Sequence, residues 1–266
     1  MSIYLDLTRQ FNEGALRAIL SSGQAAVLHR LAIMSKDGDW ILREDAEALS
    51  HVLQVLDRRQ ARYRFGAPLD LRWMRGGWSA HLEFADRPLR IRTDFVTRPP
   101  RLPVADLEAL WQESRGNLIP HLDARRLAEI KKTNREKDYA VIGELARRLP
   151  EPRDQLLLSR SARDILALAR RWPALASELA ETRPALASID AGLSALEAAL
   201  DAERRTLMHK NEARLQAYLQ AAQAWRQAWP EVERRIAGLP LMEAHAIVAQ
   251  GAEDLLPPQV SAESGR

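Results

Sequence analysis

The stretch SSGQAAVLHRLAIMSKDGDWIL, residues 21–42, decides how we interpret this chain. It opens on a turn of small residues, and the QAAVLHRLAIM that follows has apolar side chains at helical spacing, so the pattern predicts a helix just after the turn. The next segment, DGDWIL, is short and ends in apolar residues, which is typical of a strand. Because side chains alternate along a strand, Asp37 and Asp39 are predicted to share one face.

The segments around this stretch change from helical to strand-like patterning. Residues 8–34 read as helical apart from the turn, and Glu44–Leu56 reads as another helix. Period-two alternation then predicts a meander of three strands. Its strands and turns are LDLRWMR at 69–75, the Gly76-Gly77 turn, WSAHLEF at 78–84, the Asp86-Arg87-Pro88 turn and LRIRTDFVT at 89–97.

The second half of the chain reads as helical. Residues 104–113 and 124–148 have helical periodicity, and the prolines near residue 150 mark a boundary. An Ala- and Leu-rich region follows, whose apolar stripe is too long for one domain-sized helix, so we expect an antiparallel helical hairpin or a protruding arm. The predicted class is α+β, a mixed sheet flanked by helices and followed by an all-α region. The predicted domains are a first domain at 1–150, a helical domain or arm at 151–254 and a disordered tail at 255–266.

Composition limits the classes of function. The 266 residues are 46% apolar and 28% charged, as in an ordinary folded protein, and the chain has no cysteine, which removes disulfides and thiolate sites. No apolar run approaches the length of a membrane span or a signal peptide, so we predict a cytoplasmic protein with no membrane partner. The net charge of +3 permits a phosphate-rich partner without requiring one.

Three carboxylates and a small-residue turn form the candidate site. Asp94 lies on a predicted strand, on the opposite face from its apolar residues, and converges with Asp37 and Asp39 if the two strands are neighbours. Such a set suits Mg²⁺, which prefers oxygen ligands and is shared with substrate phosphates. Ser22 and Gly23 precede a helix, where backbone N–H groups favour an anion such as a triphosphate.

Each of these features also has a plain structural interpretation. KDGD is a good hairpin-tip sequence, and Asp94 among arginines suits a cross-strand ion pair. Ser22 and Gly23 are ordinary helix-capping residues. Lys131, Lys132 and Lys137 are three of only five lysines, against 34 arginines, and their simplest interpretation is a solvated helix face.

The turn and the Asp-x-Asp strand together resemble the signature of the nucleotidyltransferase superfamily with the DNA polymerase beta-like fold. SGQAAVLHRL, at 22–31, is similar to the GGxAxxLHGL variant of bacterial minimal nucleotidyltransferases and AbiEii-type toxins. Asp94 matches the third carboxylate of the family, and LAEIKKTNREKDYAVIGEL, at 127–145, is similar to its lysine-rich helix. The resemblance covers about residues 12–148. The chain departs from the family at Gly38, where an apolar residue is usual, and at Ser22, where glycine is common.

The resemblance implies a reaction and a set of roles. A nucleoside monophosphate passes from a nucleoside triphosphate to an acceptor hydroxyl, with Mg²⁺ held by the three aspartates and Asp94 helping to deprotonate the acceptor. Ser22, Gly23 and a lysine among Lys131, Lys132 and Lys137 contact the phosphates, and Asp138 orients the helix or the base. The acceptor can be a small molecule, a tRNA end or a protein side chain, and the toxin-like resemblance favours RNA or protein and implies a toxin–antitoxin setting.

A second hypothesis is a catalytically silent module of the same fold. Gly38 weakens the strand that bears both aspartates, and the helical arm is suited to bind a protein or RNA partner or a second copy of the chain.

Overall fold

The computed structural model describes residues 2–260 and has the predicted α+β class. The strands are β1 Ala18–Ser21, β2 Asp37–Leu42, β3 Arg62–Tyr63, β4 Ala80–Asp86 and β5 Leu89–Val96. The first helices are α1 Ile3–Phe11, α2 Ser22–Leu28, α3 Ala46–Asp57, α4 Leu71–Met74, α5 Val104–Glu113, α6 Ala124–Ile130 and α7 Glu136–Ala146. The later helices are α8 Pro152–Leu158, α9 Ala162–Arg171, α10 Pro173–Ala180, α11 Leu193–Ala221, α12 Gln223–Ile236 and α13 Leu241–Ala252, with a 3₁₀ turn at Pro184–Ser188.

The strands form one mixed five-stranded sheet in the order β1-β2-β5-β4-β3 within the described residues. β2 and β5 are parallel neighbours, and the other pairs are antiparallel. The two strands that bear the predicted carboxylates therefore lie side by side at the centre of the sheet. This adjacency is the condition under which the sequence predicts convergence of Asp37, Asp39 and Asp94.

The chain divides into two compact units, each with its own core. Residues 2–122 and 216–260 form the sheet unit, and residues 123–215 form a helical unit. In the sheet unit the Trp40 ring stacks on Phe95 at 5.6 Å between centroids and meets Phe11 edge-on at 5.2 Å. The helical unit buries a second apolar cluster from α8 to the start of α11, including Ile165, Leu196 and Leu200. These divisions fall at other positions than the predicted boundaries at 150 and 254.

Two strand predictions are corrected. Residues 18–21 form the edge strand β1 inside a segment predicted to be helical, because all four of its side chains are buried against the sheet unit's core. The segment 69–75 contains the short helix α4, at residues 71–74, rather than a strand. The Asp70 carboxylate accepts a hydrogen bond from the Arg72 backbone N–H and starts that helix. The meander still has three strands, but its first strand is β3, which pairs with β4 in place of residues 69–75.

One helical prediction also changes in detail. Residues 104–113 form α5 as predicted, whereas 124–148 break into α6 and α7. The break is held by Asp138, whose carboxylate accepts a hydrogen bond from Thr133 Oγ1 at 2.6 Å. The long C-terminal helical region is confirmed, since α11 runs for 29 residues, and only Leu196 and Leu200 along it are buried. No helix within residues 2–260 has both the length and the apolar character needed to cross a bilayer.

Part of the predicted disordered tail is packed against the sheet unit. Leu256 is 1% exposed, and its carbonyl accepts a hydrogen bond from Trp73 Nε1 at 2.9 Å. Trp78 Nε1 donates to the Pro257 carbonyl at 2.9 Å. The two indoles therefore anchor this end of the chain, which the Pro- and Ser-rich composition did not indicate. Residues 261–266 of the predicted tail lie outside the described residues.

Candidate active site

A row of polar side chains crosses the open face of the sheet. Asp39 on β2 is paired in register with Ser21 on β1 and with Asp94 on β5, and Asp94 is paired with His81 on β4. Register partners point to the same side of a sheet. Asp37 is two residues from Asp39 and shares its face, as the sequence predicts. The fold thus brings the backbone positions of all three aspartates together, next to the end of β1.

A second row runs parallel to the first and alternates in charge. It consists of Asp37, Arg92, Glu83 and Arg62 on four successive strands. Arg62 and Arg90 both pair with the Glu83 carboxylate, at 2.9 and 2.6 Å. Asp37 is held less tightly, because Arg92 Nη1 lies 4.0 Å from its Oδ1, and that buried oxygen accepts no hydrogen bond. Asp37 therefore keeps an oxygen available for a ligand.

Asp94 is already engaged by neighbours that the sequence analysis did not identify. Its Oδ1 accepts a hydrogen bond from Arg64 Nη2 at 2.5 Å and lies 2.7 Å from His81 Nδ1. Ser79 Oγ lies 2.9 Å from His81 Nε2. The sequence indicates a hairpin near residues 86–88, but the register that places His81 opposite Asp94 has Asp86 paired with Leu89 and was set by the fold. The plain interpretation of Asp94 as an ion-paired residue describes its contacts in this structure.

The small-residue turn is tied to the loop that leads into β2. Ser22 has a φ of +48°, in the left-handed region that favours glycine. A Cβ on Gly23 would lie 2.9 Å from the Ser35 Cβ, so glycine is needed for close packing there. The Gln24 side chain donates to the backbone carbonyls of Ser35 and Asp37. The turn is thus fixed beside the aspartates, while its contact with phosphate stays a prediction.

A cleft of about 800 Å³ opens at the Asp37 end of β2. Its lining includes Tyr4, Met34, Asp37 and Arg92. Burial raises the pKa of the Tyr4 hydroxyl, and the negative charges of Asp37, Asp39 and Asp94 raise it further, against an opposing effect of Arg92. Tyr4 therefore senses the charge of all three carboxylates. Its hydroxyl donates to the Lys36 carbonyl at 2.5 Å and braces the chain just before Asp37.

Some of these residues suit a bound Mg²⁺ ion and others do not. Within the described part of the chain, no group of three or more His, Cys, Asp or Glu side chains is arranged to hold a metal ion. Mg²⁺, however, is commonly bound through one or two carboxylates together with substrate phosphates and water. Asp37 and Asp39 on one face, with the unbonded Oδ1 of Asp37, fit an ion that arrives with a triphosphate. Asp94 fits a role beside that ion better than a role as its ligand.

The predicted phosphate-binding lysines belong to the helical unit. Lys131 is buried, and its Nζ lies 3.2 Å from Asp138 Oδ1. Lys132 Nζ pairs with Glu129 at 2.8 Å, and Lys137 is exposed on α7. Burial opposes the ionisation of Asp138, but hydrogen bonding from Thr133 and the charge of Lys131 hold the pKa of its carboxyl below the ordinary value. Lys131 and Asp138 thus hold α6 against α7, and a phosphate contact by any of these lysines stays a prediction.

Comparisons with known proteins give two solved structures and no sequence match. A proposed nucleotidyltransferase from H. pylori is similar with a TM-score of 0.39 and 12% identity, over 78% of this chain and 93% of that one. JHP933 from Helicobacter pylori is similar with a TM-score of 0.38 and 12% identity, over 82% of this chain and 95% of that one. No family model matches the chain, and no curated protein matches it.

Proposed function

We propose that this chain is a nucleotidyltransferase-like protein that transfers a nucleoside monophosphate from a nucleoside triphosphate to an acceptor hydroxyl. The observation that carries the proposal is the placement of Asp37, Asp39 and Asp94 on one sheet face, next to the turn that ends β1. The sequence resemblance associates the same three positions with this reaction. RNA and protein are both retained as acceptors, in line with the AbiEii-type resemblance.

The chain's own residues position the triphosphate and its charge. Asp37 and Asp39 would hold Mg²⁺, which when bound neutralises phosphate charge and assists departure of pyrophosphate. Arg92, half exposed and only loosely paired with Asp37, is placed to contact a phosphate oxygen. Catalysis of this kind consists mostly of positioning and charge compensation, so fixed groups on a rigid sheet suit it.

The cleft beside Asp37 supports a small-molecule substrate. Its volume of about 800 Å³ lies in the range of sites that enclose drug-sized ligands. The exposed Met34 and Leu89 side chains offer apolar surface to a nucleoside, while Arg90 and Arg92 supply positive charge. Ser22 and Gly23 keep their predicted phosphate-binding roles within this proposal.

Calorimetric titration tests the proposal. The chain is titrated with Mg²⁺ and each of the four nucleoside triphosphates, beside an Asp37→Asn/Asp39→Asn variant. A Glu13→Gln/Asp254→Asn variant makes the same change in net charge at exposed positions of the sheet unit, away from the site. We expect Mg²⁺-dependent binding by the wild type and the control, and loss of that binding in the site variant. Undiminished binding by the folded site variant would contradict the proposal.

The second candidate is a catalytically silent module that binds a protein or RNA partner through its C-terminal helices. Two observations favour it: Asp94 Oδ1 is already bonded to Arg64 and His81, and α11 buries only two of its 29 residues. A folded wild-type chain that binds none of the four nucleotides, with or without Mg²⁺, supports this candidate over the enzyme.

A further inference from the structure

Ser79, His81 and Asp94 form a hydrogen-bonded chain. Ser79 Oγ lies 2.9 Å from His81 Nε2, and His81 Nδ1 lies 2.7 Å from Asp94 Oδ1. Each imidazole nitrogen therefore has one partner, a hydroxyl on one side and a carboxylate on the other. A nucleophile, a base and a group that orients the base are the three parts of an activated-serine site.

The fold fixes this arrangement on both strands. Ser79 directly precedes β4 and shares a face with His81, two residues later, while His81 is paired in register with Asp94. The Ala67 backbone N–H donates to the Ser79 carbonyl at 3.1 Å. A Cβ on Gly66 would lie 2.6 Å from His81 Cδ2, so the ring packs directly against this glycine. The imidazole is thus confined by backbone on one side and by its two partners on the others.

Hydrogen-bond chemistry selects one tautomer of His81. An ionised carboxylate only accepts, so the proton of the neutral imidazole lies on Nδ1 and faces Asp94. Nε2 then carries the lone pair that accepts the Ser79 hydroxyl proton. Arg64 also bonds Asp94 Oδ1 and offsets its charge, so Asp94 acts chiefly as a positioning residue that fixes the ring and its tautomer.

We propose that Ser79 is an acceptor hydroxyl for nucleotidyl transfer, so that the chain modifies itself. This inference rests on the proposed function, and it names the acceptor that the site geometry favours. Asp94 is the register partner of Asp39, so the Ser79–His81 pair lies on the sheet face assigned to the Mg²⁺-triphosphate. The Ser79 Oγ–Pα bond forms, the bond from Pα to the bridging oxygen of the β-phosphate breaks, pyrophosphate leaves with the electron pair, and the Ser79 proton passes to His81 Nε2.

Incubation with nucleotide followed by peptide mass spectrometry tests the inference. The full chain is incubated with Mg²⁺ and each nucleoside triphosphate, and the peptide that contains Ser79 is examined for a nucleoside monophosphate adduct. We expect the adduct in the wild type, none in Ser79→Ala, and a rate lower by about 10²- to 10⁴-fold in His81→Gln, the usual contribution of a general base. His51→Gln is the matched control, because His51 Nε2 bonds only the Gln10 carbonyl among the contacts described for its ring, far along the chain from Ser79.

A fluorophosphonate probe separates failure of this inference from failure of the proposed function, because it reports an activated serine without any nucleotide. Labelling of Ser79 in the wild type that is lost in His81→Gln and kept in His51→Gln supports the activated serine, even if nucleotides do not bind. Nucleotide binding without a Ser79 adduct overturns self-modification. A wild-type chain that shows neither the adduct nor the label overturns the inference as a whole.

Discussion

Gly38 separates the two aspartates of β2, and we predict that Gly38→Ala destabilises the sheet unit. A Cβ at this position would lie 2.6 Å from Trp40 Cζ3 and 2.6 Å from Tyr4 Cδ1, closer than real Cβ contacts allow. Neither ring moves freely. Trp40 is 1% exposed and donates through Nε1 to Thr8 Oγ1 at 3.0 Å, and the Tyr4 hydroxyl is bonded to the Lys36 carbonyl.

The expected magnitude follows from the cost of overpacking. Adding a methyl group to a filled core costs about 1–3 kcal/mol, and each kcal/mol lowers Tm by roughly 2–4 °C for a unit of this size. A larger apolar residue at this position would cost more, because its additional atoms would require displacement of both rings. Gly38 is therefore required by the core beneath the site.

Urea and thermal denaturation measure the effect, with a second glycine as the control. Gly143 lies in α7, and a Cβ there meets only the Arg160 Cβ, at an ordinary 3.8 Å. Gly143→Ala is thus expected to be neutral or to stabilise by up to about 1 kcal/mol through helix propensity. A Gly38→Ala variant as stable as the wild type would refute the reasoning.

A double-mutant cycle tests the cause. Trp40→Phe removes the outer ring atoms that the new Cβ would meet, although it also loses the indole hydrogen bond to Thr8. The two substitutions together should cost less than the sum of their separate costs, by about 0.5–3 kcal/mol. If the two free-energy costs are simply additive, the destabilisation by Gly38→Ala does not come from a clash with the Trp40 ring.

Two further predictions concern electrostatics. The pKa of Tyr4 is raised by burial and then by the charges of Asp37 and Asp39, so replacing both aspartates with asparagine should lower it. The Tyr4 titration is measured as the difference in tyrosinate absorbance between matched chains with and without Tyr4→Phe. An unchanged midpoint would contradict the effect of these two charges on Tyr4. The pKa of Asp138 is lowered in the folded state, so its contribution is present above the unfolded value of about 3.9 and is lost as pH falls through the folded pKa. Asp138→Asn should thus cost about 3–5 kcal/mol at neutral pH by leaving Lys131 buried without its partner, and the difference from wild type should shrink in acid; a pH-independent difference in urea denaturation would contradict this.

Local pattern in the sequence determined much of the sheet and the helices. Alternation placed Asp37 and Asp39 on one face of β2, and the polar and apolar faces of β5 came from the same rule. The predicted bounds of the helix at 104–113 agree with those of α5 at both ends. The alternating pattern at 69–75 wrongly predicted a strand. A short run of mixed apolar and polar residues is equally compatible with one capped helical turn, and here that turn buries Trp73.

Tertiary structure decided which strands are neighbours and what each aspartate contacts. The parallel pairing of β2 with β5 joins segments more than fifty residues apart, and no local pattern fixes such a pairing. It also decided that Trp40 and Tyr4 occupy the space beside Gly38 and that Lys131 is buried on Asp138.

The site shows the same division between sequence and fold. The sequence by itself placed Asp37 and Asp39 on one face of β2, whereas the pairing of His81 with Asp94 follows from the register of the β4–β5 hairpin. Local alternation places Ser79 beside His81, but only the tertiary structure brought Arg64 to Asp94 and left Asp37 with an unbonded oxygen. The physical reason is that periodicity reports which face a side chain occupies, whereas the partner it meets there depends on how distant segments pack.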